Sequence, residues 1–280
     1  MGDTTLMRKK KGKREFWRMF AFAILILFFY TILYVYEPFS TYWNDLFSGF
    51  FTIFAAAFSA VFATLVFRRY EVSDAPRWIW LHFSIGLWLW ALAEFIWVAY
   101  PLFYGEARIN SADFFWIIAY AFFGYAVYLQ YQIVFRPTPR RNIFWVSAAL
   151  ALAVILTCLT VWLLETFVHQ DSGLPLWIAA FYPVADLVVG LAALRIVVRF
   201  RGGALGYPWL GLFIFAIADM LYAIRDISGI GGDSNVLSAV ADITYLTAYL
   251  FVGLGCFAQL LLLRYGPVFT ITRKESKKTI

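Results

Sequence analysis

Charge is scarce in this chain. Asp, Glu, Lys and Arg make up 14% of 280 residues, where roughly 25% is ordinary for a soluble domain. With 63% hydrophobic residues, 21% aromatic residues and a mean hydropathy of +0.75, that deficit excludes a soluble globular protein. Only two cysteines occur, Cys158 and Cys256. They have no metal or redox spacing and read as small packing residues within apolar runs. Two histidines, His82 and His169, are too few for paired haem ligands or a His-based metal cluster, so no metal or cofactor is expected. His82 reads as a satisfied core residue. Every lysine lies in a terminal tail, so no helix offers a Schiff-base lysine and a retinal protein is excluded. Gly-rich phosphate loops, H-E-x-x-H and G-x-S-x-G are missing as well, and Gly231-Gly232-Asp233-Ser234 reads as an outer turn. The expected protein is not an enzyme.

Long apolar runs are what the chain has instead. Eight of them, near 17–37, 45–67, 77–101, 111–135, 143–165, 174–199, 207–228 and 237–264, have the roughly 20 to 25 residues needed to cross a hydrocarbon core of about 30 Å. The first exceeds a signal-peptide core and has no small-residue cleavage site after it, so it reads as a retained helix. The fold class predicted is all-α, an integral membrane bundle with residues 1–16 and 265–280 as basic tails. Short loops make consecutive helices antiparallel neighbours.

The net charge of +6 is distributed by loop. Lys and Arg cluster in the N-terminal segment, near 68–77, 136–141 and 195–201, and after Arg264. Only Arg108 and Arg225 fall on the other side, with Glu37, Asp45, Glu106, Glu165, Asp171, Asp226 and Asp233. This alternation predicts both termini in the cytoplasm of a cell with the protein in its inner membrane. The basic charge is a topology signal that also meets anionic lipid, and nucleic acid is not an expected partner.

Four times an Ala-acid pair is followed, three residues after the acid, by Trp or Tyr: Ala93-Glu94…Trp97, Ala112-Asp113…Trp116, Ala218-Asp219…Tyr222 and Ala241-Asp242…Tyr245. Composition alone predicts roughly 0.2 such patterns, so chance does not account for four. The stretch from Asp113 to Gly124 aligns without gaps on Asp242 to Gly253, and Glu94…Trp97 matches Asp219…Tyr222 one helix earlier. Spans 3 and 4 thus correspond to spans 7 and 8, which predicts a tandem duplication, repeats 17–135 and 143–264, about an axis along the membrane normal.

An acid in hydrocarbon costs some 2.5 kcal/mol or more and is kept where it is paired, hydrated or working. Glu94, Asp113, Asp219 and Asp242 all fall in the outer half of the bilayer. Asp186 joins them near mid-depth, with Tyr182 four residues earlier on the same face. Asp113, Trp116, Tyr120 and Gly124 share one face of span 4; Asp242, Tyr245, Tyr249 and Gly253 share one face of span 8. Such faces can line an outward-opening acidic and aromatic cavity, with glycines allowing close helix contact at its floor. Glu94, Asp186, Asp219 and Asp242 would hold a cation or a ligand with donor groups, between walls of Trp97, Trp116, Tyr222 and Tyr245. Arg225 is the expected partner of Asp226, Asp242 or Asp219. One arginine cannot neutralise five acids, so some are expected to carry protons. The competing expectation is structural: acids bonding Tyr hydroxyls and Trp N–H groups across the bundle, or Asp113 and Asp242 capping their helices beside Ser111 and Ser238.

Three pieces, Ser111 to Tyr120, Phe181-Tyr182-Pro183-Val184-Ala185-Asp186 and Ala216-Ile217-Ala218-Asp219-Met220-Leu221-Tyr222, resemble the multi-span membrane modules at the N-termini of some prokaryotic diguanylate cyclases and histidine kinases. The likeness covers about residues 77 to 264 and implies a sensory module. In those proteins a catalytic domain follows the last helix, whereas here a basic tail does, so the resemblance implies a signalling protein in trans as partner. The function expected is a non-catalytic ligand-sensing or binding module, against two alternatives: a small-solute or ion transporter, and a structural subunit of a membrane complex. Transporter sites are marked by broken helices at matching positions, and Pro183 alone sits well inside a span, without a counterpart.

Overall fold

The computed structural model describes residues 2–105, 110–168, 173–200, 203–228 and 235–266. It is 92% helical, and eight helices are long and apolar enough to cross a membrane. In chain order they are α1 (Gly2–Tyr36), α2 (Thr41–Phe67), α3 (Ala75–Tyr104), α4 (Ser111–Phe135), α5 (Pro139–Leu163), α6 (Leu174–Phe200), α7 (Tyr207–Ser228) and α8 (Asn235–Tyr265). The expected Glu106, Arg108, His169, Asp171 and Asp233, the turn Gly231–Ser234 and the chain after Gly266 lie outside the described residues.

Helix boundaries follow local chemistry. Helix α1 runs through the basic segment read as a tail, because Lys and Arg are good helix formers and no proline interrupts them. Pro76 and Pro139 stand in the first turns of α3 and α5, where a missing N–H costs nothing. Arg136, in the left-handed region at φ 46°, closes α4 by donating its N–H to Gln132 O at 3.0 Å. Helix α5 ends in a π turn, Leu164–Val168.

Successive helices pack side by side with one exception to the expected neighbour order: α4 and α5 scarcely touch, and α5 leans on α6 instead. Helix α8 also lies against α1 and α2, while α4 meets α6. The most enclosed spans are α8 and α3, and the least enclosed is α5, whose Leu150, Val154, Ile155 and Trp162 face outward as lipid-facing residues do. Close approach rests on small residues. Ala55, Ala56, Ala60 and Ala63 form a fully buried seam on α2. At Gly211 an added Cβ would lie 2.7 Å from the Val252 backbone nitrogen, and at Gly255 2.5 Å from that of Pro208, so α7 and α8 nearly touch. Gly253 meets the Phe58 ring in the same way, as a floor glycine should, but Gly124 has nothing within 4 Å and makes no such contact. Cys256 is buried packing, whereas Cys158 is exposed on α5. His82 is satisfied, though half-exposed and not in the core: its Nδ1 bonds Trp78 O at 2.6 Å, and its ring centroid lies 4.6 Å from that of Tyr125.

With eight antiparallel spans the first and last helices begin and end on one face, where the Tyr265 hydroxyl donates to Glu15 Oε1 at 3.0 Å. Arg68, Arg69, Arg77, Arg136, Arg140 and Arg199 sit at helix ends on that same face. At mid-depth an aromatic knot seals the bundle. The Trp90 ring centroid lies 4.7 Å from that of Phe123 and 4.6 Å from that of Phe215, and Phe215 lies 4.5 Å from Tyr249. All four side chains are almost wholly buried.

Candidate functional site

Above the knot, away from the termini, the helices part around a cavity of about 1260 Å³. Its walls come from every helix, and its rim holds Tyr42, Asp45, Leu102, Gly105 and Pro175, all near helix ends on the face opposite the termini. Of the eleven residues predicted for the site, all but Asp186 line it: Glu94, Trp97, Asp113, Trp116, Tyr182, Asp219, Tyr222, Arg225, Asp242 and Tyr245. Asp186 lies behind the wall, 3% exposed.

Helical spacing sets the depth of each acid. Glu94 stands four residues above Trp90 on α3, and Asp219 four above Phe215 on α7. The two acids therefore rise one turn above a ring contact of 4.6 Å. Glu94 is buried, and its Oε1 accepts the hydroxyls of Tyr245 and Tyr249, each at 2.7 Å. Asp219 is half-buried and lies beside Tyr120 and Asp186.

The next tier up is aromatic. Trp97 and Trp116 pair at 5.6 Å between ring centroids, and the corresponding Tyr222 and Tyr245 pair at 5.8 Å. Trp97 is still 45% exposed, so it walls the cavity at its edge. Nearer the rim the Tyr222 hydroxyl donates to Asp242 Oδ1. The Arg225 guanidinium lies 5.0 Å from the Tyr222 ring centroid and acts on Asp242, which Tyr34 of α1 also approaches. Among the partners expected for Arg225, Asp242 feels its charge, while the Asp226 side chain lies outside the described ones.

Asp113 has a different job. Its Oδ2 accepts the Asn110 N–H at 3.0 Å while Asn110 Oδ1 accepts that of Ala112 at 2.7 Å, a reciprocal cap at the start of α4. Its Oδ1 takes the Tyr182 hydroxyl at 2.8 Å. Both oxygens are thus spent on structure. Asp242, eighth in α8, caps nothing. Tyr120 donates to Asp186 Oδ1 at 2.6 Å, the reciprocal link from α4 to α6.

Several lining residues were not anticipated: Tyr30 and Tyr34 of α1, Ser48 and Thr52 of α2, and Trp90. The i, i+4 spacing of the two tyrosines was the only signal, and nothing near them in sequence ties them to Asp242. Pro183 also lines the cavity; lacking an N–H, it leaves the Ala179 carbonyl of the same wall without its helical donor.

The fold and site define a class, a multi-pass helical membrane protein enclosing an acidic, aromatic cavity. No protein-family model, no curated protein and no solved structure matches the chain.

Proposed function

We propose that this protein is a non-catalytic ligand-sensing or binding module of the inner membrane, with its cavity facing outward and its basic face and termini in the cytoplasm. The observation that carries this reading is that Glu94, Asp219 and Asp242 line one cavity between paired aromatic rings. Carboxylates with Arg225 as their cation favour a ligand bearing ammonium or other donor groups, and Trp and Tyr faces add cation–π attraction. The matched ring pairs, and the matched placement of Glu94 beside Tyr245 and Tyr249 and of Asp219 beside Tyr120, support the tandem duplication. A carrier would need a second path to the basic face. The knot of Trp90, Phe123, Phe215 and Tyr249 fills that position, which favours sensing over transport. A signalling polypeptide in trans is the proposed output partner.

The test is native mass spectrometry of protein gently extracted from its own membrane, comparing wild type with E94Q/D219N. These near-isosteric changes remove charge and keep hydrogen-bonding atoms in place. A bound small mass present in the wild type and lost from the folded double variant supports the reading. Equal masses on both, or on neither, count against it.

A further inference from the structure

The α6–α7 contact holds an acid that the cavity does not explain. A Cβ added at Gly190 of α6 would fall 2.5 Å from the Ala216 Cβ of α7, so the two helices come within backbone reach there. Asp186 is one turn back from Gly190, and Asp219 is three residues on from Ala216. In an antiparallel pair those steps lead in the same direction, and they bring the two carboxyl groups together. Asp186 is 3% exposed; its Oδ1 takes the Tyr120 hydroxyl at 2.6 Å, and its Oδ2 is buried with no donor. An ionised carboxylate only accepts, so Asp219 as an anion cannot satisfy that oxygen.

Among the described residues, the other groups facing the pair do not supply a cation. Tyr120 comes from α4, Glu94 from α3, and Tyr245 and Tyr249 from α8. Tyr182, on α6 itself, is turned to Asp113. Arg225 stands six residues further along α7, against the Tyr222 ring.

We infer that Asp186 and Asp219 form a proton-binding site, a carboxyl pair holding one shared proton between α6 and α7. The proton provides the donor that Oδ2 lacks and reduces two facing negative charges to one. Because Asp219 lines the cavity and Asp186 lies behind it, the proton exchanges with the open face through Asp219.

Infrared spectroscopy of the full chain in lipid tests this directly. At neutral pH the wild type should show the C=O stretch of a protonated aspartic acid, above the amide I band, shifting in D2O and on labelling with 13C-carboxyl aspartate. D186N and D219N should each abolish it. A wild type without such a band overturns the proposal, and that reading needs no variant to fold. So does a band that survives in both variants. A band that disappears when sodium replaces a bulky organic cation, with a gain in melting temperature, would assign the site to a metal cation instead and also overturn it.

Discussion

The hydroxyl of Tyr249 donates to Glu94 Oε1 over 2.7 Å, tying α8 to α3 between positions 155 residues apart. Tyr245 delivers a second hydroxyl to the same oxygen, so Glu94 has insurance against the loss of either. Interhelical hydrogen bonds in membranes average about 0.6 kcal/mol and reach about 1.7. Y249F or Y245F alone should therefore cost about 1 kcal/mol. The double variant leaves a buried carboxyl oxygen bare and should cost more than the sum of the two. Reversible unfolding of both singles and the double in micelles measures the coupling; strict additivity would show that the tyrosines do not share Glu94.

Helices α4 and α6 are braced in both directions, Tyr120 to Asp186 and Tyr182 to Asp113. The two bonds are unequal in what they protect. Asp113 keeps the Asn110 N–H when Tyr182 loses its hydroxyl, whereas Asp186 has no second donor among the described residues. Y120F should thus destabilise by about 1–3 kcal/mol and Y182F by less, about 1 kcal/mol. Equal losses, read from the same unfolding curves, would argue that the acid pair behind Tyr120 is not specially dependent on it.

Much of this is legible in the sequence. An intramembrane acid is costly, so four Ala-acid-aromatic repeats had to share a reason, and helical period put Asp113 with Tyr120 and Asp242 with Tyr245 on single faces. The partners were not legible. Nothing in sequence says that Tyr249 bonds Glu94 rather than a residue of its own half, because helix order around a bundle is a packing outcome. For the same cause Asp186, grouped with the cavity acids by depth, sits behind the wall. Asp113 carried a cap and a site signal at once, and only the position of Asn110 separates them. Tyr30 and Tyr34 offered only their i, i+4 spacing, and nothing beside them in the sequence tied them to Asp242.

That cap yields its own prediction. D113A removes an acceptor from the Asn110 N–H and another from Tyr182, and should cost about 1–2 kcal/mol. D113N keeps an acceptor oxygen in place and should recover much of the loss. If binding of a cavity ligand drops tenfold in D113N while melting is unchanged, Asp113 is a ligand contact after all.

Glycine packing separates Gly211, at the α7–α8 contact, from Gly124, a predicted floor position on α4. At Gly211 a methyl group would enter the Val252 backbone, 2.7 Å from its nitrogen, and backbone cannot rotate away as a side chain can. Overpacking of that kind costs about 1–3 kcal/mol, so G211A should lower the melting temperature and loosen α7 from α8. Gly124, on the face of α4 that carries Asp113 and Tyr120, has nothing within 4 Å of an added Cβ. There alanine restricts the unfolded chain and favours helix by about 0.5–1 kcal/mol. G124A should therefore leave stability unchanged or raise it. Opposite signs for the two substitutions, in one unfolding assay, are the expected outcome. A destabilised G124A would mean that another helix face, or a second copy of the chain, packs where the single bundle leaves room.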